Sequence, residues 1–277
     1  MRLTRLAGLI GAGALLLAVA APVTSAASGS AMIRVLHGSP DAPAVDVFAN
    51  GAKVAALSNL TFGHITNYVS VPGGTYSIKV CATADNTVCP IGPVSLKFAA
   101  GKSYTIAASD LLAQIKANVF TDSASPMDGK TQVRVVHLSA DTPAVDVLTQ
   151  DKATTVVGNL AYPKATGYLS LAPGSYDLIV CAHADKSVCP LDPGALSLEG
   201  GKSYSVFAVG SLNGNGETTQ KLTAVVALDS MAAPATDTVS STTASSGTAA
   251  PALLLAAAAV FGLVGSLRFA AARSRSR

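Results

Sequence analysis

The chain has 277 residues, of which 49% are hydrophobic and only 13% charged, with a mean hydropathy of +0.44. This is too apolar for an ordinary soluble domain and excludes long disorder over most of its length. Six of the 19 basic residues lie at the two ends, leaving 13 against 16 acidic residues in the middle, which offers no electrostatic footprint for nucleic acid.

Arg2 and Arg5 precede an apolar run from Leu6 to Ala21, followed by the small residues Thr24-Ser25-Ala26-Ala27. This pattern predicts a secretory signal peptide over residues 1–26, since the run is short of the ~20 residues of a spanning helix. The segments that follow are short, rich in β-branched residues and punctuated by Gly, Pro, Asn and Asp. They predict strands near 32–37, 44–49, 53–58, 66–71, 75–82, 94–98, 103–108 and 113–120, with hairpin turns at Pro72-Gly73-Gly74 and Ala100-Gly101-Lys102.

A shift of one hundred residues then superimposes the chain on itself. Arg34-Val35-Leu36-His37 falls on Arg134-Val135-Val136-His137, Asn59-Leu60 on Asn159-Leu160, Tyr68 on Tyr168, Tyr76 on Tyr176, and Gly101-Lys102-Ser103-Tyr104 on Gly201-Lys202-Ser203-Tyr204. Two copies of one domain follow, at residues 28–124 and 128–229, joined by a short polar linker. The expected fold class is all-β, two tandem immunoglobulin-like antiparallel β-sandwich domains plus one C-terminal transmembrane helix. A gapless match over the whole domain predicts that each copy folds alone.

Beyond the copies, residues 230–250 are rich in Ser, Thr, Ala and Pro and read as a stalk. Residues 251–268 form an apolar run, uncharged as far as Leu267 and closed by Arg268, and the tail 269–277 carries Arg273, Arg275 and Arg277. The expectation is a single-pass type I protein of the cell membrane, its bulk extracellular and its basic tail cytoplasmic.

The opening block Arg-Val-x-His-x-Ser-(Pro)-Asp-x-Pro-Ala-Val-Asp-Val, followed by Asn-Leu and by a Tyr before Pro-Gly-x-Tyr, resembles a bacterial extracellular domain known only as a domain of unknown function, often found in tandem behind signal peptides. The resemblance implies secretion and a β-rich surface protein, and it transfers no activity. The second copy departs from the block at Leu138 and Ala140.

Cys81 and Cys89 recur at the same spacing as Cys181 and Cys189. An even count in an exported chain predicts disulfides, and the repeat selects Cys81 with Cys89 and Cys181 with Cys189, each clamping a hairpin. A set that can be weighed as a ligand or metal site is His37, Asp41 and Asp46, with His137, Asp141 and Asp146. The structural alternative puts His37 at the end of a core strand, Asp41 on nearby backbone amides, and Asp46 opposite Arg34. Gly-Lys-Ser at 101–103 and 201–203 lacks the earlier glycine of a phosphate loop. No catalytic residue, cofactor or metal is assigned, and the chain is not read as an enzyme. The expected function is a non-enzymatic surface protein presenting two sandwiches to an extracellular protein, a glycan or the envelope. The alternative is a metal- or ligand-dependent binding protein or enzyme using the His/Asp block. The unmatched segments 50–55 and 150–155, with 61–64 and 161–164, are expected to be the contact loops alongside the hairpin tips.

Overall fold

The computed structural model describes residues 29–122, 129–214 and 220–231. The expected signal peptide, most of the linker, the expected stalk after residue 231, the expected transmembrane segment and the basic tail lie outside the described residues. Among those described, no helix is long and apolar enough to cross a membrane.

The first copy contains β1 (Ser30–His37), β2 (Val45–Ala49), β3 (Ala52–Lys53), β4 (Val69–Pro72), β5 (Gly74–Ala82), β6 (Ile91–Phe98), β7 (Ser103–Ser109) and β8 (Lys116–Asp122). The second repeats them as β9 (Thr131–His137), β10 (Val145–Thr149), β11 (Thr155–Leu160), β12 (Leu169–Leu171), β13 (Gly174–Ala182), β14 (Ala195–Leu198), β15 (Lys202–Val209) and β16 (Thr223–Met231). Each copy forms two four-stranded sheets, ordered β4-β1-β7-β8 and β3-β2-β5-β6 in the first, β12-β9-β15-β16 and β11-β10-β13-β14 in the second. The all-β class and the two domains stand.

Three expectations need correction. The sheets are not wholly antiparallel, because β1 runs parallel to β7 and β9 parallel to β15. The strand expected at 53–58 is a two-residue strand followed by a 3-10 turn at Ala55–Leu57, whereas its counterpart is the full strand β11. The hundred-residue register also fails at the last strand: Thr105 pairs with Phe120 but Ser205 with Ala227, so the second copy carries seven extra residues before β16.

The inner sheets show why the copies are not separate. Alternation along β1 sends Ile33 and Val35 into the first sandwich, with Val47, Ile78, Phe98 and Ile106. Leu36, the residue after Val35, faces the other way and joins Ala107, Val136, Leu138, Phe207 and Val209 in a core shared by both copies. With both faces covered, β1 is buried at nearly every position from Ile33 onward. Gly38 permits this close approach: a Cβ on it would stand 3.1 Å from a methyl of Val209 in the second copy, close enough that one of them would have to shift. Its counterpart Leu138 instead fills the shared core. The two copies form one compact unit, with the core continuous across them.

Candidate functional site

The shared core surrounds a buried polar network whose members all come from the repeat. Arg34 donates through Nε to Thr105 Oγ1 at 2.8 Å and through Nη1 to the Leu228 carbonyl at 2.9 Å, and Nη2 pairs with Asp229. Arg134 donates to Ser205 Oγ at 2.7 Å and to the Thr121 carbonyl at 2.9 Å, and pairs with Asp122. Each arginine thus reaches the terminal carboxylate of the other copy. Tyr68 and Tyr168 close the arrangement, donating at 2.6 Å to Asp122 and Asp229 with their rings against the Arg34 and Arg134 guanidinium groups. Burial first, then the adjoining aspartates, push both phenols well above the usual range, so they remain donors. The expected pairing of Arg34 with Asp46 is wrong. Arg34 points away from its own sandwich, because it alternates with Ile33 and Val35.

The His/Asp block is divided among separate local tasks. His37 and His137 are buried, with Nε2 against the carbonyls of Pro43 at 2.9 Å and Pro143 at 3.2 Å. Burial holds both imidazoles below their ordinary pKa. Asp41 accepts from the Leu112 amide at 2.7 Å, and Asp141 from Ser211 Oγ at 2.6 Å and the Leu212 amide at 3.0 Å, so each fastens the segment after the seventh strand of its copy. Asp46 and Asp146 accept from the amides of Asn59 at 2.8 Å and Asn159 at 2.7 Å, where both asparagines have positive φ. That explains the Asn-Leu motif: asparagine tolerates the left-handed turn, and Leu60 and Leu160 behind it are buried. No group of three or more His, Cys, Asp or Glu residues among the described residues is placed to hold a metal ion.

Asp46 and Asp146 also underlie the two hairpins. Disulfides join Cys81 to Cys89 and Cys181 to Cys189, and the register sets Cys81 opposite Asp46 and Cys181 opposite Asp146. Asp46 is bonded by Lys53 at 2.6 Å and Thr83 at 3.1 Å, and Asp146 by His183 at 2.7 Å. Burial would raise these carboxyls, but the bonds outweigh it and both lie below the ordinary carboxylate range. Each hairpin is therefore closed by sulfur and fastened at its base by a buried anion. At its outer side stand Val88, 55% exposed, and Val188, 51% exposed, the two most exposed large hydrophobic side chains among the described residues.

Of the expected contact loops, 50–55 and 150–155 are largely exposed. Segments 61–64 and 161–164 are engaged elsewhere. Phe62 packs on the shared core, and Tyr162 donates to Asp110 of the first copy at 3.2 Å.

This geometry defines a class: a tandem β-sandwich protein with disulfide-closed hairpins and a fused inner interface. The chain belongs to the family described as Domain of unknown function (DUF4397), whose model matches residues 31–148 and again 143–256. No curated protein matches the chain. Among solved structures, it is similar to the C-terminal domain of AlgF from P. aeruginosa, with 23% identity, 36% of this chain and 99% of that one covered, and a TM-score of 0.28. The TIE protein of Bacillus anthracis is 13% identical over 66% of this chain and 34% of its own, with a TM-score of 0.22. A leucine-rich repeat protein from Bacteroides thetaiotaomicron VPI-5482 is 13% identical over 64% of this chain and 25% of its own, with a TM-score of 0.17.

Proposed function

We propose that the chain is a non-enzymatic bacterial surface protein whose fused sandwich pair presents two cystine hairpins to an extracellular protein or glycan. The observation that carries this reading is the paired exposure of Val88 and Val188 at equivalent places on rigid, disulfide-closed hairpins. Apolar side chains held out on a fixed scaffold lose little conformational entropy on contact, which suits recognition. Two such contacts on one body would bind with avidity. The disulfides suit an oxidising compartment, in keeping with export by the N-terminal segment and single-pass anchoring of the C-terminal apolar run in the cell membrane.

The test compares the full chain with a Val88→Asp, Val188→Asp variant on a glycan array and on purified bacterial envelope. Binding by the parent that is lost in the variant, at unchanged thermal stability, supports the proposal. Equal binding by both proteins refutes the role of the hairpins, and failure of the parent to bind either material refutes the glycan and envelope readings.

A further inference from the structure

The two sandwiches differ inside. In the first, the space left between the sheets is about 30 Å³, whereas in the second it is about 320 Å³. Three substitutions on the inner faces contribute to the difference. Ile33, Phe98 and Ile106 become Val133, Leu198 and Val206 at the matched positions, each losing bulk from an inner face. The 3-10 turn at Ala55–Leu57 drops Leu57 into the first sandwich, where it is 1% exposed. Its counterpart, the smaller Val157, lies in β11 opposite Val147, where it is also buried and forms part of the cavity wall.

The second sandwich also has an opening. β6 is eight residues long and pairs with β5 as far as Val80 and Ile91, while β14 is four residues long and its ladder with β13 ends at Asp177 and Ala195, the two edges meeting again only at the single bridge between Val180 and Leu191. Pro193, Gly194 and Ala195 line the cavity and are exposed. The wall is otherwise almost wholly aliphatic. Its two side-chain hydroxyls are already engaged, Tyr176 donating to the Ala172 carbonyl at 2.7 Å and Thr149 to Asp151 at 2.6 Å.

The geometry points to a binding site for an alkyl chain between the sheets of the second copy, entered beside Pro193 and Gly194. A cavity without free polar groups does not hold ordered water and accepts apolar guests, and its volume falls within the ~300–1,000 Å³ of ligand pockets. With no free hydrogen-bonding side chain inside, the site selects the tail of an amphiphile and leaves its polar head at the exposed opening. The tail can belong to a free fatty acid or to a membrane lipid. This site is independent of the proposed role of the hairpins.

The experiment irradiates the full chain with a diazirine-bearing lauric acid in one arm, and in phosphatidylcholine vesicles carrying the same group on an acyl chain in the other. Labelled peptides are then mapped. Labelling within β13 to β15, absent from the matched strands β5 to β7, is expected in at least one arm, and the arm that labels identifies the source of the tail. The variant Val133→Ile, Leu198→Phe, Val206→Ile, which installs the residues of the first copy, should lose more than about tenfold of that labelling, since one methylene in an apolar pocket can be worth that much. Ala195→Trp, which obstructs the opening without repacking the core, should do the same and serves if the triple variant does not fold. No label in β13 to β15 in either arm, or label that persists in the folded blocked variants, overturns the assignment.

Discussion

Replacing Asp229 with alanine should destabilise both copies together. The carboxylate is 2% exposed, faces an Arg34 guanidinium that is 3% exposed, and also accepts from Tyr168 and Ser205. Its removal leaves Arg34 buried, with Asp122 at 3.7 Å as its remaining carboxylate neighbour. Breaking a buried pair from one side costs ~3–5 kcal/mol, a large part of the ~5–15 kcal/mol that holds a native fold. For a unit of this size the fall in Tm is roughly 6–20 °C. Replacing both partners, Arg34→Met with Asp229→Leu, removes the stranded charge and should recover much of the loss. Urea unfolding of the parent, both single variants and the double variant gives the coupling energy. Because Arg34 and Asp229 belong to different copies, the parent should unfold in one transition by fluorescence and circular dichroism alike. A loss under about 1 kcal/mol for Asp229→Ala, or separate transitions for the two copies, would refute the reasoning.

Three further outcomes follow from other parts of the molecule. His37 and His137 are held below their usual 6.5 by burial, so the unfolded chain gains protons that the folded one refuses; stability should fall as pH drops below 6.5 toward the lowered values, and His37→Phe with His137→Phe should flatten the slope of Tm against pH. Each disulfide closes a loop with a sequence separation of 8 residues, and replacing either cysteine pair with serine should cost ~2.5 kcal/mol in the chain-entropy model; an unchanged midpoint in denaturant would contradict it. Expressed separately, residues 29–122 and 130–231 should associate with each other or fail to unfold cooperatively, because separation uncovers the shared core and strands both arginines; two monomeric fragments with sharp transitions would contradict a fused unit.

Much of the single-copy framework is legible in the sequence, because its signals are local. The matched cysteine spacing gives two hairpin disulfides, and the alternation Ile33, Val35, His37 gives a core strand ending in a buried histidine. What is missed depends on residues that face away from their own copy. Arg34 and Arg134 each stand between apolar neighbours in a strand, and one sandwich offers no reason for a buried charge there. The repeat itself holds the missing signal: a charge flanked by apolar residues, recurring with an aspartate at the end of the last strand, marks an inner face that meets its twin. The seven added residues before β16 hide that signal, since Asp229 lies 107 residues from Asp122 and a search at one hundred does not align them. The parallel pairing of β1 with β7 is equally invisible, since side-chain alternation is the same for either direction.

The asymmetry between the copies links the cavity to the interface. Where the first copy has Gly38, Ala107 and Ser109, the second has Leu138, Phe207 and Val209, and all three of these are buried at the interface. Where the first has Ile33, Phe98 and Ile106 in its own sandwich, the second has smaller side chains around the open space. At these six positions bulk in the second copy lies on the shared face, although Thr149, Leu169 and Leu171 of the cavity wall are larger than Ala49, Val69 and Val71. At ~24 cal/mol per Å³, an empty cavity of 320 Å³ costs at most about 8 kcal/mol. Burial of Leu138, Phe207 and Val209 at ~1.5–3 kcal/mol each supplies a comparable amount. The second sandwich can therefore remain hollow because it is joined to the first. A monomeric domain with the same interior would approach the stability limit, whereas the fused pair can keep an unfilled site in one half while the other half has a filled core.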